Sequence, residues 1–564
     1  MSTTSLPAAA SSDTTAPSEA TAPSESTAPS TTLSAAVTNR LDHWFDGTDI
    51  VAPSINYGIF DRTGVIYQHG VGEFQLDGRT PQLDTIYRIA SMSKSFSVVC
   101  ALVLRDRGML SLDDDVRLYV PEFTTFVDGV GDEVVVTIAM LMNNSSGLPE
   151  DNGWADHELG LTRQEFLAFV SAGLAFADIP GNGYQYSNAG FWLLSIIVEN
   201  VSGRTFPEFA TATLLEPLGL TQTRYDAADY PNSDTFGRGT GGTNMARGYG
   251  TFDEGATWFE RPFVGSGIGG SAASMFSTIP DIARWSAWLS GAFDETGAQI
   301  LSRASRRLMQ RIHTSVPAPA DRKADPDLEG MGYGLGLFIE NDVRFGAFVH
   351  HSGGLPGFSS NMRWHRSSGL GVVVFSNTNG VRPAIPAAGM LRAVLEDLDV
   401  PAREITLWPA TLDAAAAFDR AITTSGQVGD AQTRVGDAQT RVGDAEESVG
   451  DAHNYAGEAD HPVLFSPNLL SDVPADVRDA RLVALLAEVG GLLPAASIPP
   501  LTDRLAWTVS AAHVAWTIPG VTGSITCRIE MTPTTPSMVQ RLDIEKTADV
   551  TRLSPVTRHY RPRL

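Results

Sequence analysis

Lysine is almost missing from this chain: Lys94, Lys323 and Lys546 are the only ones among 40 basic residues, and the rest are arginine. A coding bias toward arginine explains the general pattern. It does not explain why a lysine stands at 94, inside a serine-rich helix start. Arginine keeps its proton in proteins, whereas a desolvated lysine can lose one and serve as a base. Cysteine is scarcer still. Cys100 and Cys527 lie far apart and form no metal-binding or redox pattern, which excludes a disulfide framework while leaving one bridge open. Cys100 sits in an apolar run and reads as a core residue.

Positive charge is in deficit as well. A formal net charge of -25 argues against nucleic acid as a partner and against attachment to anionic lipid, and it reads as a solvated acidic surface. No apolar stretch is long enough for a membrane span. The first residues show neither a basic n-region nor an apolar h-region, so the expected location is cytoplasmic. The H-E-x-x-H zinc pattern and a complete G-x-S-x-G elbow are both missing. Two G-x-G-x-x-G matches, Gly237–Gly242 and Gly265–Gly270, do not sit between a parallel strand and a crossover helix, so no dinucleotide site is expected.

What is present divides along the chain. With 564 residues, 43% of them hydrophobic and 19% charged, the chain can build more than one core. Residues 1–33 are rich in Ser, Thr, Ala and Pro, and read as a disordered tail. A helix is expected from Leu33 to Phe45, followed by strands Ile55–Phe60 and Gly64–Phe74. From Ser91 to Arg107 the chain is apolar on almost every side, the pattern of a helix buried in a domain centre, with Gly108 as its stop. Later strands are expected at Tyr333–Glu340, Phe345–His350, Asn361–His365 and Gly369–Ser376. Early and late strands around a helical middle suggest an α/β sandwich in which both sets share one antiparallel sheet, over residues 34–398. Residues 399–460 read as a linker in which Val-Gly-Asp-Ala recurs from Val428, Val435, Val442 and Val449. The recurring glycine favours a flexible insertion over a coiled coil. Residues 461–564 read as a small α+β accessory domain, with a helix over Val473–Leu493 and strands at Leu505–Ser510, His513–Ile518, Ser524–Met531 and Val539–Ile544.

The chemistry concentrates at Ser91-Met92-Ser93-Lys94, an S-x-x-K pattern at the start of the buried helix. Residues three apart share a helical face, so the Ser91 hydroxyl and the Lys94 amine can meet. A serine becomes a competent nucleophile when a neighbouring base takes its proton, and burial lowers a lysine pKa enough to supply that base. A capping serine followed by a solvated lysine is the bland alternative, but the flanking helix is too apolar for a casual surface lysine.

The run Tyr87-Arg88-Ile89-Ala90-Ser91-Met92-Ser93-Lys94-Ser95-Phe96 resembles the nucleophile segment of the serine β-lactamase and penicillin-binding-protein family, which includes class C β-lactamases, DD-peptidases, D-aminopeptidases and esterases. Two further family elements follow in order: Tyr186-Ser187-Asn188, similar to Y-x-N, and His351-Ser352-Gly353-Gly354, similar to K/H-T/S-G. Tyr184 lacks an asparagine two residues on and is set aside. Supporting phrases are Gly108–Asp114, Ser146–Pro149 and Leu215–Leu220.

The resemblance covers residues 38–395. It implies the β-lactamase/transpeptidase-like sandwich, with Ser91, Lys94 and Tyr186 as the catalytic set. Asn188, His351, Ser352, Gly353 and Gly354 are then expected at the substrate, with an oxyanion hole made by the Ser91 and Gly354 N–H groups. No metal and no cofactor is called for. The implied function is hydrolysis of a small ester or amide through a Ser91 acyl-enzyme, as a carboxylesterase or a D-amino-acid or DD-peptidase. The alternatives are a β-lactamase and a non-catalytic peptide- or β-lactam-binding protein. His351 stands where class C β-lactamases carry lysine, which counts against efficient antibiotic hydrolysis. Asn144 stands where relatives often carry histidine. Oligomeric state is left open.

Overall fold

Every residue from Ser93 to Leu104 is buried, as the apolar run requires of a helix with no solvent face. In the computed structural model this run forms most of a helix, Ser93–Asp106, preceded by a short 3-10 turn at Ala90–Met92. Gly108, at φ +72°, ends the helix: its N–H bonds to the Arg105 carbonyl and the Met109 N–H to that of Leu104. This paired closure satisfies carbonyls that the last turn leaves open.

The structure describes residues 31–231, 244–262, 265–293, 300–317, 328–401, 404–426, 465–547 and 560–563. Residues 1–30, the four Val-Gly-Asp-Ala repeats, Lys323 and the first glycine-rich match lie outside them. The described chain divides into two compact units. The first holds residues up to Ser315, with Tyr333–Phe338 and Val349–Leu398. The second holds Val316–Gly332, Ile339–Phe348 and the chain from Asp399 onward.

The helices of the first unit include α1 (Ala35–Asp42), α2 (Ser93–Asp106), α3 (Asn188–Ser202), α4 (Ile279–Ser290) and α5 (Ala384–Asp397). Its strands include β1 (Ser54–Asp61), β2 (Gly64–Gly72), β3 (Gly346–Leu355, of which the part from Val349 on belongs to this unit), β4 (Phe358–His365) and β5 (Gly371–Ser376), which are consecutive in one sheet as β2-β1-β5-β4-β3. Early and late strands therefore share one sheet. The β1–β2, β1–β5 and β4–β5 pairs are antiparallel, with Tyr57 opposite both His69 and Val374. All eight β1 residues are buried. A Cβ on Gly58 would lie 2.7 Å from the Ile279 side chain in α4, while Tyr57, next along, donates to the Leu41 carbonyl in α1. Successive side chains face opposite ways, so this sheet is covered on both faces.

α2 packs on α3, and Phe96 stacks on Trp285 of α4 at 3.8 Å between ring centres. One expected strand is broken. Tyr333–Glu340 is not continuous: strand ends at Tyr333 and resumes at Phe338. Gly336 turns between them at φ +67°, where a Cβ would come within 2.8 Å of Val98 and 3.0 Å of the Lys94 carbonyl. The chain must bend to pass α2 that closely.

The second unit contains α6 (Pro409–Ser425), α7 (Ala475–Glu488) and a four-stranded antiparallel meander of β6 (Leu505–Trp507), β7 (His513–Pro519), β8 (Ser524–Met531) and β9 (Val539–Lys546). α6 lies within the stretch that the sequence reads as a linker. Its Ala414, Ala415, Phe418 and Ile422 are buried against Trp516, Ile525 and Cys527. The repeats beside it mask this apolar face in a composition scan. Cys100 and Cys527 are both buried free thiols. Among the described residues no helix is long and apolar enough to cross a membrane.

Candidate active site

Ser91 sits on the 3-10 turn just before α2, and the residue before it, Ala90, is held at φ +50°. An alanine in the left-handed region is strained and persists only where surrounding packing over-determines it. Here the Ala90 carbonyl accepts from the Ser93 hydroxyl at 2.6 Å, and the Ile89 carbonyl accepts from Ser360 of β4 at 2.7 Å. The turn is thereby fixed to both helix and sheet.

Lys94 is fully buried, with Nζ 3.1 Å from Ser91 Oγ, 2.6 Å from Asn188 Oδ1 and 3.3 Å from the Ala272 carbonyl. The amine lies over the rings of Tyr186 and Phe191, at 4.8 and 5.3 Å from their centres. Burial brings its pKa down to about 7, against the opposing pull of the Asp151 and Asp156 carboxylates. Burial also raises Asp156, to about 6. The Tyr186 phenol is pushed well above its ordinary value by burial, opposed in part by the Ser91 side chain.

Asn188 opens α3. Asp151 Oδ1 accepts from its backbone N–H at 2.7 Å and from Nδ2 at 2.9 Å, while Oδ2 accepts from the Ala189 N–H at 2.8 Å. A carboxylate at a helix N-terminus satisfies open donors and meets the positive end of the helix dipole. Asn144, at φ +56°, accepts from the Ser187 N–H through Oδ1 and from the Gln185 N–H through its carbonyl. Asn144 thus fastens the loop bearing Tyr186, in a conformation asparagine tolerates better than most residues.

His351 lies buried on β3. Its Nδ1 is 2.6 Å from the Ser352 carbonyl, an acceptor only, so Nδ1 carries the proton. Nε2, 3.0 Å from the Tyr333 hydroxyl, then accepts. Burial, reinforced by Lys94, pushes its pKa down to about 3. Ser352 Oγ accepts from Asn361 Nδ2 at 2.9 Å. A Cβ on Gly353 would stand 2.3 Å from the Ile89 carbonyl and 2.3 Å from Ser360 Oγ, so the missing side chain is what lets β3 lie against the turn carrying Ser91. Gly354 is exposed, with open space where a Cβ would be.

Ser91, Lys94, Tyr186, Asn188 and His351 all belong to the first unit. Asp151, Asp156, Ala272 and Tyr333 join them without having been singled out by motif. Tyr184 packs its ring near Tyr333 and Phe338. The second glycine-rich match is a packing device: the Gly267 N–H bonds to Leu159, a Cβ on Gly269 would meet the Leu159 backbone at 2.6 Å, and the segment leads to Ala272 behind Lys94. Among the described residues no group of three or more His, Cys, Asp or Glu could hold a metal ion.

Penicillin-binding protein 4* of Bacillus subtilis (strain 168) is 27% identical over 332 residues, 57% of this chain and 65% of that protein. Protein flp of Staphylococcus aureus (strain NCTC 8325 / PS 47) is 26% identical over 318 residues, 56% of this chain and 57% of that protein. The chain thus matches less than two thirds of the length of these curated relatives. Among solved structures, the octameric penicillin-binding protein homologue from Pyrococcus abyssi is similar at 21% identity and a TM-score of 0.50, over 86% of this chain and 87% of that one. The sheet and helices have the β-lactamase/transpeptidase fold. A model of the Beta-lactamase family matches residues 41–395, and the chain belongs to that family.

Proposed function

We propose that this protein is a serine hydrolase that cleaves esters or amides through an acyl-enzyme on Ser91. The observation that carries this reading is the hydrogen-bond count at Lys94. A neutral amine has two hydrogens and one lone pair. Of its three neighbours, Asn188 Oδ1 and the Ala272 carbonyl can only accept, so they take the two hydrogens. The ammonium gives its third hydrogen to Ser91 Oγ at 3.1 Å; once that proton is lost, the lone pair is left for the Ser91 hydroxyl proton. That is the geometry of a general base on a nucleophile.

Ser91 Oγ attacks the carbonyl carbon as its proton passes to Lys94, and the substrate oxygen takes the negative charge. The Ser91 and Gly354 N–H groups are the donors for that oxyanion, each such donor being worth about 3 kcal/mol at the transition state. The C–O or C–N bond then breaks, and the proton reaches the leaving group from Lys94 by way of Tyr186, whose high pKa keeps it protonated between turnovers. Water, activated by the same pair, releases the acid and restores Ser91.

The neutral His351 is a hydrogen-bonding group rather than a cation for a substrate carboxylate. This favours carboxylesterase or D-amino-acid peptidase activity over penicillin hydrolysis. Mass-spectrometric mapping after treatment with a fluorophosphonate tests the nucleophile, and p-nitrophenyl esters, D-alanyl peptides and nitrocefin test the substrate. Ester or D-peptide turnover that disappears in Ser91→Ala is expected. A folded protein that leaves Ser91 unlabelled and hydrolyses none of the three would instead indicate a binding protein.

A further inference from the structure

The lone-pair count at Lys94 holds only while Asn188 presents its oxygen to the amine. An amide rotated by half a turn would present NH2, which donates. The lone pair of Lys94 would then bond to that donor and be lost to Ser91. Something must decide the rotation, and Asn188 itself cannot, because both ends of a primary amide have nearly the same shape.

The deciding group is the Asp151 carboxylate. Asn188 Nδ2 lies 2.9 Å from Asp151 Oδ1 and 2.9 Å from Asn152 Oδ1. A carboxylate only accepts, so the edge of the amide facing Asp151 has to be NH2, and the oxygen is forced toward Lys94 at 2.6 Å. Asp151 is itself immobilised by the Asn188 and Ala189 backbone N–H groups at the first turn of α3. An unpaired rotated amide would set its oxygen against a carboxylate, with two acceptors facing and no proton between them.

We propose that Asp151 is a positioning residue for the reaction: by fixing the rotation of the Asn188 amide, it reserves the Lys94 lone pair for Ser91. This rests on the hydrolase reading above and names a residue that acts through Asn188 without touching substrate. Other groups face the Lys94 amine from the elements around it: the Asp151 and Asp156 carboxylates, Tyr186 and Asn188 at the start of α3, Ser91 on its own turn, and His351 on β3. Of these, the two carboxylates favour the ammonium form and His351 is held uncharged.

The test is the pH dependence of Ser91 acylation by a fluorescent fluorophosphonate, in which the Ser91 oxygen bonds to phosphorus, fluoride leaves and the hydroxyl proton goes to Lys94. Asp151→Asn puts a donor where only an acceptor stood and frees the Asn188 amide to rotate. The expected result is a loss on the order of 100-fold in the acylation rate, the low end for a general base. The acid limb should also move to lower pH, because removing the charge and the facing oxygen both disfavour the ammonium. Asp151→Ser retains an oxygen able to cap α3, and thermal unfolding of both variants reports the cap separately; the serine variant should show the same two changes if the asparagine variant does not fold. A slowed reaction with an unmoved limb would reduce Asp151 to a helix cap and overturn the proposal. So would a wild-type rate. Failure of the wild-type protein to label at Ser91 would sink the hydrolase reading itself, a different outcome from either of these.

Discussion

Tyr333 donates its hydroxyl proton to Nε2 of His351 across 3.0 Å, and this bond holds the imidazole in the tautomer that gives its other proton to the Ser352 carbonyl. Both ring nitrogens are therefore committed while the ring is neutral. A second proton would have to displace the tyrosine bond on a ring that is itself buried.

The first expectation is that His351 stays neutral across the working range. Burial and the neighbouring Lys94 take its pKa from the ordinary 6.5 to about 3. The unfolded chain binds this proton near pH 6.5 and the folded chain only near 3. The stability contributed by the neutral buried ring is thus complete above pH 6.5 and falls away as pH drops toward 3. Carbon-13 NMR of labelled histidine should show the 351 signal flat from pH 8 to 4.5. A midpoint near 6.5 would mean that the ring is open to solvent.

Lys94 sets the second expectation. Its neutral form is the base, so acylation of Ser91 should slow as pH falls through about 7, where burial places its pKa. Lys94→Arg keeps the charge and removes the basicity. A loss of roughly 100- to 10,000-fold is expected from removal of a general base. Stopped-flow labelling over pH 5–9 measures both; a limb near 4, or an active arginine variant, would assign the base elsewhere.

Gly353 supports a third. With the Ile89 carbonyl and Ser360 Oγ each 2.3 Å from where a Cβ would sit, Gly353→Ala must push β3 away from the nucleophile turn. Overpacking of this kind costs about 1–3 kcal/mol. Urea unfolding should report that loss, together with a fall in Ser91 labelling larger than the stability change explains. An alanine variant with wild-type labelling would show that β3 need not approach so closely.

Ser91 and Lys94 were legible from sequence because their relation is local: three residues on a helix share a face whatever the rest of the chain does. The buried helix was legible because an all-round apolar run has one stable place. Tyr186, Asn188 and the His351 segment required the family resemblance, since nothing local marks a loop tyrosine or a strand histidine. Asp151 and Tyr333 were not legible at all. An aspartate 37 residues before the amide it orients, and a tyrosine 18 residues before the ring it bonds, are joined by tertiary packing alone. Gly336 broke an expected strand for the same kind of reason, because its turn is set by α2. α6 was hidden in a stretch whose repeats dominate the composition.

A fourth expectation concerns the core of the second unit, where Arg504 and Asp419 form a two-pronged ion pair at 2.8 and 2.5 Å, with side chains only 7% and 10% exposed. Asp419 also accepts from Trp516 Nε1 at 3.0 Å, and Arg504 donates onward to the Thr517 and Pro499 carbonyls. The pair thus ties α6 to β7 and to the segment before β6, with all three guanidinium nitrogens donating. Removing one member leaves the other charge buried without its partner, which costs about 3–5 kcal/mol, far more than the net worth of the intact pair. Asp419→Ala should therefore lower the stability of this unit by that amount, seen as lost amide-exchange protection over residues 513–531. Retained protection there would mean that water reaches Arg504 and that the pair contributes no more than one at the surface.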